Sequence, residues 1–185
     1  MNRYELEHII RASKGITDQS KIVVIGSQAI LGQFPEATPE LRASMEADVF
    51  PLHNPALSEH IDGAIGERSM FHQTYGYYAH GVAENTATLP SGWKGRLIPI
   101  KNENTGGATG LCLESHDIAA AKLAAGRDKD MDFVRIMLRE KMVSSEELAK
   151  RIATLPLSAE RKALIHSRLQ RITPSSHVPP SAFSL

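Results

Sequence analysis

Hydrophobic positions along this chain alternate between two periods, and the switches mark out its elements. Residues 2–14 place Tyr4, Leu6, Ile9, Ile10 and Ser13 at near-helical spacing, which predicts a helix closed by Gly15. Ile22 to Ile25 are four consecutive β-branched residues that break at Gly26-Ser27, the pattern of a buried strand entering a loop. Residues 27–33 predict a short helix, two prolines make 33–39 a loop, and Pro39 to Arg42 suit one more helical turn. From Met45 to Phe50 the period becomes two. Met45, Ala47 and Val49 then share one face of a strand, and Glu46 and Asp48 share the other.

Further along, Leu57, Ile61, Ala64 and Ile65 predict a helix over 55–66 ended by Gly66. The run Met70–Val82 is rich in aromatic and small residues and reads as an irregular strand, or a strand pair turning at Gly76. Residues 84–94 form a turn-rich loop, with Trp93 folding back onto the body. Arg96–Lys101 and Leu111–Leu113 are strand-like, joined by a glycine-rich turn over 102–110. That turn lacks the GK[ST] of a phosphate loop and suits a hairpin connection. Ser115 reads as the cap of a helix running to Gly126, and a charged first turn opens another at Arg127–Leu138. Residues 144–172 predict a helical hairpin, with Ser144-x-x-Glu147 as a capping box, Ser158 as the second cap, and Leu148, Ile152, Leu157, Leu164, Ile165 and Leu169 packing inward. A Pro/Ser-rich tail follows and is expected to be disordered. The organisation expected is a core over 1–114, a helical portion over 115–172 packed on it, and a tail over 173–185.

Composition narrows the class. A length of 185 residues suits one domain with a small appendage. No apolar run reaches the ~18 residues of a membrane span, and there is no apolar leader. One cysteine, Cys112, cannot form an internal disulfide, and it lies between two leucines as a buried thiol would; both suit a reducing cytoplasm. The net charge of zero conceals an asymmetry. Residues 1–114 carry 9 Lys/Arg and 13 Asp/Glu, whereas 115–185 carry 12 and 8. An acidic half beside a basic half suits a nucleotide or a phosphate backbone, and it equally describes solvated helix faces.

Chemistry concentrates at Glu46 and Asp48. Two carboxylates on one strand face repel unless a cation or proton lies between them, and Mg²⁺ favours such hard oxygen donors. His53, His60, His72 and His80 fit no zinc spacing and read as scattered or substrate-facing. Tyr75, Tyr77 and Tyr78 offer either sheet packing or a stacking surface for a base. Lys122 falls among alanines near the sheet, where a lysine either snorkels or does chemistry.

A strand, Gly26-Ser27, a helix and then Glu46-Ala47-Asp48 on a second strand resembles the DNA polymerase β-like nucleotidyltransferase superfamily. The resemblance implies an α+β fold, a mixed sheet flanked by helices with a C-terminal helical segment. It also implies that Gly26 and Ser27 hold a triphosphate, while Glu46 and Asp48 bind catalytic Mg²⁺ or Mn²⁺. The string HDIAAAKLAAGRDKDMDFV at 116–134 resembles the motif D-L-x-x-x-K-L-x-A-x-R-x-K-D of proteins related to AbiEii toxins of type IV toxin–antitoxin systems. An allied uncharacterised family shares Gly-Val-x-x-x-Thr-Ala-x-Leu-Pro-x-Gly-Trp with residues 81–93. By that resemblance Lys122 contacts phosphate, Asp130 is the acid needed for activity, and Arg127 and Lys129 are auxiliary nucleotide contacts.

The implied activity is metal-dependent transfer of a nucleotidyl group from an NTP to a hydroxyl of RNA, a tRNA 3′ end included, or of protein. An antitoxin protein is the implied partner. Three departures favour an alternative, a degenerate fold that binds nucleotide or a partner without turnover. Glu replaces the commoner Asp at 46, the gap from Ser27 to Glu46 is long, and no carboxylate occupies 96–101, where a third is often found.

Overall fold

The computed structural model describes residues 1–173, so the tail expected beyond Thr173 lies outside the described residues. Strand β1, Lys21–Ile25, has four buried residues in a row because it lies at the centre of a five-stranded sheet. The others are β2 (Glu46–Pro51), β3 (Tyr78–Gly81), β4 (Ile98–Ile100) and β5 (Thr109–Cys112), in the order β3-β2-β1-β5-β4. β1 is antiparallel to β2 and parallel to β5; β2 is parallel to β3, and β4 is antiparallel to β5. The architecture is α+β, a mixed sheet flanked by helices.

Alternation sorts the sheet's two faces. Ile22, Val24, Ala47, Val49 and Cys112 enter the main core with helices α1 (Arg3–Thr17) and α2 (Ser58–Ile65). Val23, Ile25, Phe50 and Val82 form a smaller cluster on the other face, packed by Trp93 and Leu97 from the 84–97 segment. Met45, expected beside Ala47, is largely exposed. The C-terminal helices extend the main core: α4 (Ser115–Ala125), α5 (Asp128–Arg139), α6 (Ser145–Ala153) and α7 (Ala159–Ile172) contribute Leu123, Val134, Leu148 and Ile165 to it. Among the described residues no helix is long and apolar enough to cross a membrane.

Several local expectations change. α1 runs through Gly15 and stops at Asp18, whose φ of 54° gives the left-handed cap while its N–H bonds the Lys14 carbonyl. A helix tolerates one glycine at about 1 kcal/mol, and the buried Thr17, bonded to the Ser13 carbonyl, extends the last turn. The first half of Met70–Val82 is not a strand but helix α3, Met70–Tyr75. Ser69 caps it by accepting the His72 N–H, and Gly76 at φ 78° ends it, so the aromatic residues follow local capping rather than strand propensity. α4 is capped by Glu114 instead of Ser115, its carboxylate accepting the N–H groups of His116 and Asp117. Ser144 caps α6, but Glu147 turns its side chain to Arg151 and leaves the box unreciprocated. Leu164 points outward and is half exposed.

Candidate active site

The site begins with a register. β1 and β2 pair with Ile25 opposite Asp48, which brings Asp48 beside the turn that follows Ile25. There Gly26 adopts φ 71°, ψ −162°, a region that strains any residue with a β-carbon, and a 3₁₀ helix, Ser27–Gly32, starts. The glycine is doubly required, because a β-carbon would lie 2.1 Å from Oδ2 of Asp48. Ala47 and Val49 anchor β2 in the core, so Glu46 and Asp48 both face the other way, into a cavity of about 690 Å³.

All eight residues singled out in the sequence line that cavity: Gly26, Ser27, Glu46, Asp48, Lys122, Arg127, Lys129 and Asp130. Thr86, Thr88 and Arg161 also contribute to its walls. Gly26 and Asp130 are 104 positions apart, and two features close the distance. α4 packs against the 3₁₀ helix at 27–32. Gly126, left-handed at φ 68°, then reverses the chain so that α5 folds back on α4. A β-carbon on Gly126 would meet the Arg168 guanidinium, which donates to the carbonyls of Leu123 (2.7 Å) and Ala124 (3.1 Å).

Asp130 is wholly buried and has neither oxygen free. Oδ1 accepts from Lys122 Nζ at 3.2 Å and Oδ2 from Arg127 Nε at 2.6 Å. Burial alone pushes this carboxyl up, but the bonds from Arg127 and Lys122 outweigh it and hold the group below its ordinary value. Lys122 is drawn down by burial, with Asp130 opposing, and its ammonium lies 4.4 Å from the centroid of the Phe133 ring. The motif resemblance makes Asp130 the acid needed for activity; its geometry is that of a group holding two cationic side chains in place. Arg127 and Lys129 are exposed at the cavity mouth.

Asp48 behaves oppositely. Burial first, and then the charge of Glu46, raise its carboxyl above the ordinary value, with His80 opposing. His80 is a residue whose role the sequence did not reveal. The parallel register of β2 and β3 sets it opposite Asp48, and its Nδ1 lies 3.0 Å from Oδ1. Glu46, Asp48 and His80 each present a ligand atom, all within 4.8 Å of one another. Tyr78, opposite Glu46 in the same register, donates its hydroxyl to Oε2 at 2.9 Å. Burial and that carboxylate push the phenol up to about 12. The sequence signal was present: with Tyr78 in a strand, period two puts His80 on the same face. The third carboxylate sought at 96–101 could not have served, because β4 is the far edge, three strands from β2.

Tyr75 and Tyr77, which could have offered a stacking surface, lie elsewhere. Tyr77 is buried and bonds His8 at 2.8 Å, and Tyr75 and Phe71 pack around the same imidazole. That cluster is not part of the cavity.

A glycine turn against a paired-carboxylate strand, facing a lysine from a following helix, defines a nucleotidyltransferase-like domain. Residues 4–167 match the family described as nucleotidyltransferase of unknown function (DUF6036), and the chain belongs to that family. No curated protein and no solved structure matches it.

Proposed function

We propose that the chain transfers a nucleotidyl group from an NTP to a hydroxyl acceptor. The observation that carries the reading is the contact of the Gly26 turn with Asp48 in a cavity that Lys122 also lines. The acceptor oxygen attacks the α-phosphorus, the bond to the bridging oxygen breaks, and pyrophosphate leaves as the acceptor loses its proton. Backbone at Gly26 and the Ser27 side chain hold the β- and γ-phosphates. Lys122 lies where negative charge grows on the leaving group, and Arg127 and Lys129 supply further cationic contacts at the mouth. Asp130 keeps Lys122 and Arg127 aimed.

The donor set fits a divalent cation. Glu46 and Asp48 share a face, and burial first and the Glu46 charge second raise the Asp48 carboxyl, a cost that a cation between them would offset. Mg²⁺ or Mn²⁺ held there would neutralise charge on the triphosphate.

The motif resemblance at 116–134 supports the finer reading. RNA, with a tRNA 3′ end among the candidates, or a protein hydroxyl is the acceptor, the role is that of an AbiEii-like toxin, and an antitoxin is the partner. The single buried cysteine supports a cytoplasmic setting.

One observation favours a second reading, a module that binds nucleotide without turnover: the position paired with Asp48 on β3 carries His80 and not a carboxylate. Incubation with each labelled NTP, Mg²⁺ or Mn²⁺ and total RNA separates the two. Label on RNA or on protein, lost in folded Asp48→Ala and Lys122→Ala, supports transfer; nucleotide binding with no label moved supports the module.

A further inference from the structure

We infer that His80 is a ligand of the divalent cation, so that the site selects Mn²⁺ over Mg²⁺. This rests on the reading of Glu46 and Asp48 as metal-binding carboxylates and adds the third donor and the metal preference.

The placement of His80 is built into the sheet. β2 and β3 run parallel with Glu46 opposite Tyr78 and Asp48 opposite His80, so the four side chains form two rows on one face. The separation of 3.0 Å between His80 Nδ1 and Asp48 Oδ1 suits neighbouring donors on one ion; two ligands each about 2.1 Å from a cation and at right angles are ~3 Å apart. Glu46 is positioned from behind. Tyr78 donates to its Oε2, and the Tyr78 ring packs at a tilt of 43° against His72 with centroids 4.6 Å apart. Such supporting bonds fix the orientation of a ligand before metal arrives. Among the described residues, the third donor within reach of both carboxylates is this imidazole. Glu40 and Asp130 also line the cavity, but neither belongs to the three-donor cluster, and Asp130 is committed to Lys122 and Arg127.

Donor chemistry then sets the preference. Mg²⁺ holds to oxygen donors and near-ideal octahedral geometry, and gains little from an imidazole nitrogen. Mn²⁺ accepts carboxylate oxygen as Mg²⁺ does, and as a softer transition ion it gains more than Mg²⁺ from one imidazole nitrogen added to the two carboxylates. The competing account is that His80, as an imidazolium, is only a counter-ion to Asp48. That account puts the nitrogen outside the coordination sphere and predicts that a metal ion expels the ring.

Mn²⁺ electron paramagnetic resonance on the full chain, without nucleotide, distinguishes them. Bound Mn²⁺ is expected to show electron spin-echo modulation from a directly coordinated ¹⁴N, absent in His80→Gln. The variant should bind Mn²⁺ about 10- to 100-fold more weakly, at least the range that loss of a supporting partner costs a metal site. Its thermal unfolding should match the parent, because the His80 side chain is about half exposed. His80→Asp should restore binding without nitrogen coupling and narrow the preference for Mn²⁺ over Mg²⁺ in competition. Mn²⁺ binding that is lost in Asp48→Asn but unchanged in His80→Gln, with no nitrogen coupling, overturns the role of His80 and leaves the carboxylate reading standing. No Mn²⁺ binding to the parent chain overturns both.

Discussion

The β-carbon that Gly26 lacks would lie 2.1 Å from Oδ2 of Asp48. The turn and the carboxylate thus occupy one space, and neither can change independently. Gly26→Ala forces a side chain into φ 71°, ψ −162°, which costs about 1–3 kcal/mol, and the new methyl must displace Asp48. We expect a fall in thermal stability of that size and a loss of NTP affinity of about tenfold or more, or 1.4 kcal/mol, by calorimetric titration. Ser27→Ala leaves the backbone intact and should weaken NTP binding with no stability cost. Equal NTP affinity in the parent and in Gly26→Ala would remove the turn from the binding site.

Asp130 binds two cations, and the consequences of removing each partner differ. Asp130→Asn leaves Lys122, nearly buried, without its counter-charge, and breaking such a pair costs about 3 kcal/mol. Lys122→Met leaves Asp130 with both Arg127 bonds and sets an apolar chain against Phe133, so the expected loss is smaller, roughly 1.5 kcal/mol. Both substitutions should abolish transfer. Urea midpoints compare the two; a larger loss in Lys122→Met would mean that Arg127 contributes nothing to holding Asp130.

The parts of the fold that could be read from sequence are those fixed by local period. Ile22–Ile25 is apolar on both faces and became the central strand, and the alternation at 46–50 put Glu46 and Asp48 on the face opposite Ala47 and Val49. The aromatic run at 70–82 misled because Ser69 and Gly76 cap a helix that overrides strand propensity. His80 escaped for a different reason. Its significance comes from a parallel register with a strand 32 positions earlier, and spacing along the chain does not encode registers. Asp130 stood out as a charge, but its complete burial between Lys122 and Arg127 depends on how α5 folds back at Gly126, a tertiary fact.

Cys112 should behave as an inert thiol. It is fully buried, burial pushes its pKa up to about 12, and a β-carbon on Gly32 would lie 2.4 Å from its own. Thiolate is the reactive form, so iodoacetamide at pH 8 should label the native chain only as fast as it opens, and unfolded chain at one thiol per molecule. Full labelling of native protein on mixing would contradict this packing. Gly32→Ala should destabilise by about 1–3 kcal/mol through overpacking.

Glu114 supplies a pH dependence of stability whose sign is fixed by its surroundings. Burial pushes the carboxyl up, but the His116 imidazole at 2.8 Å, the His116 backbone N–H at 3.0 Å and the Ser115 hydroxyl at 3.0 Å more than reverse this and hold it down to about 2. His116 Nε2 accepts the Ser144 N–H, so Nδ1 carries the proton given to Glu114, and one carboxylate ties the start of α4 to the start of α6. The folded-state value lies below the ordinary 4.5, so the charged form favours folding. Its contribution is complete above about pH 4.5 and disappears as pH falls toward about 2, with an upper size of roughly 3 kcal/mol. Glu114→Gln keeps an acceptor oxygen for the helix cap and removes the titration. The gap in unfolding free energy between the parent and Glu114→Gln should therefore be widest near pH 7, narrow below about pH 4.5 and close only toward about pH 2. A gap that stays constant across that range would show that the charge of Glu114 does not stabilise the fold.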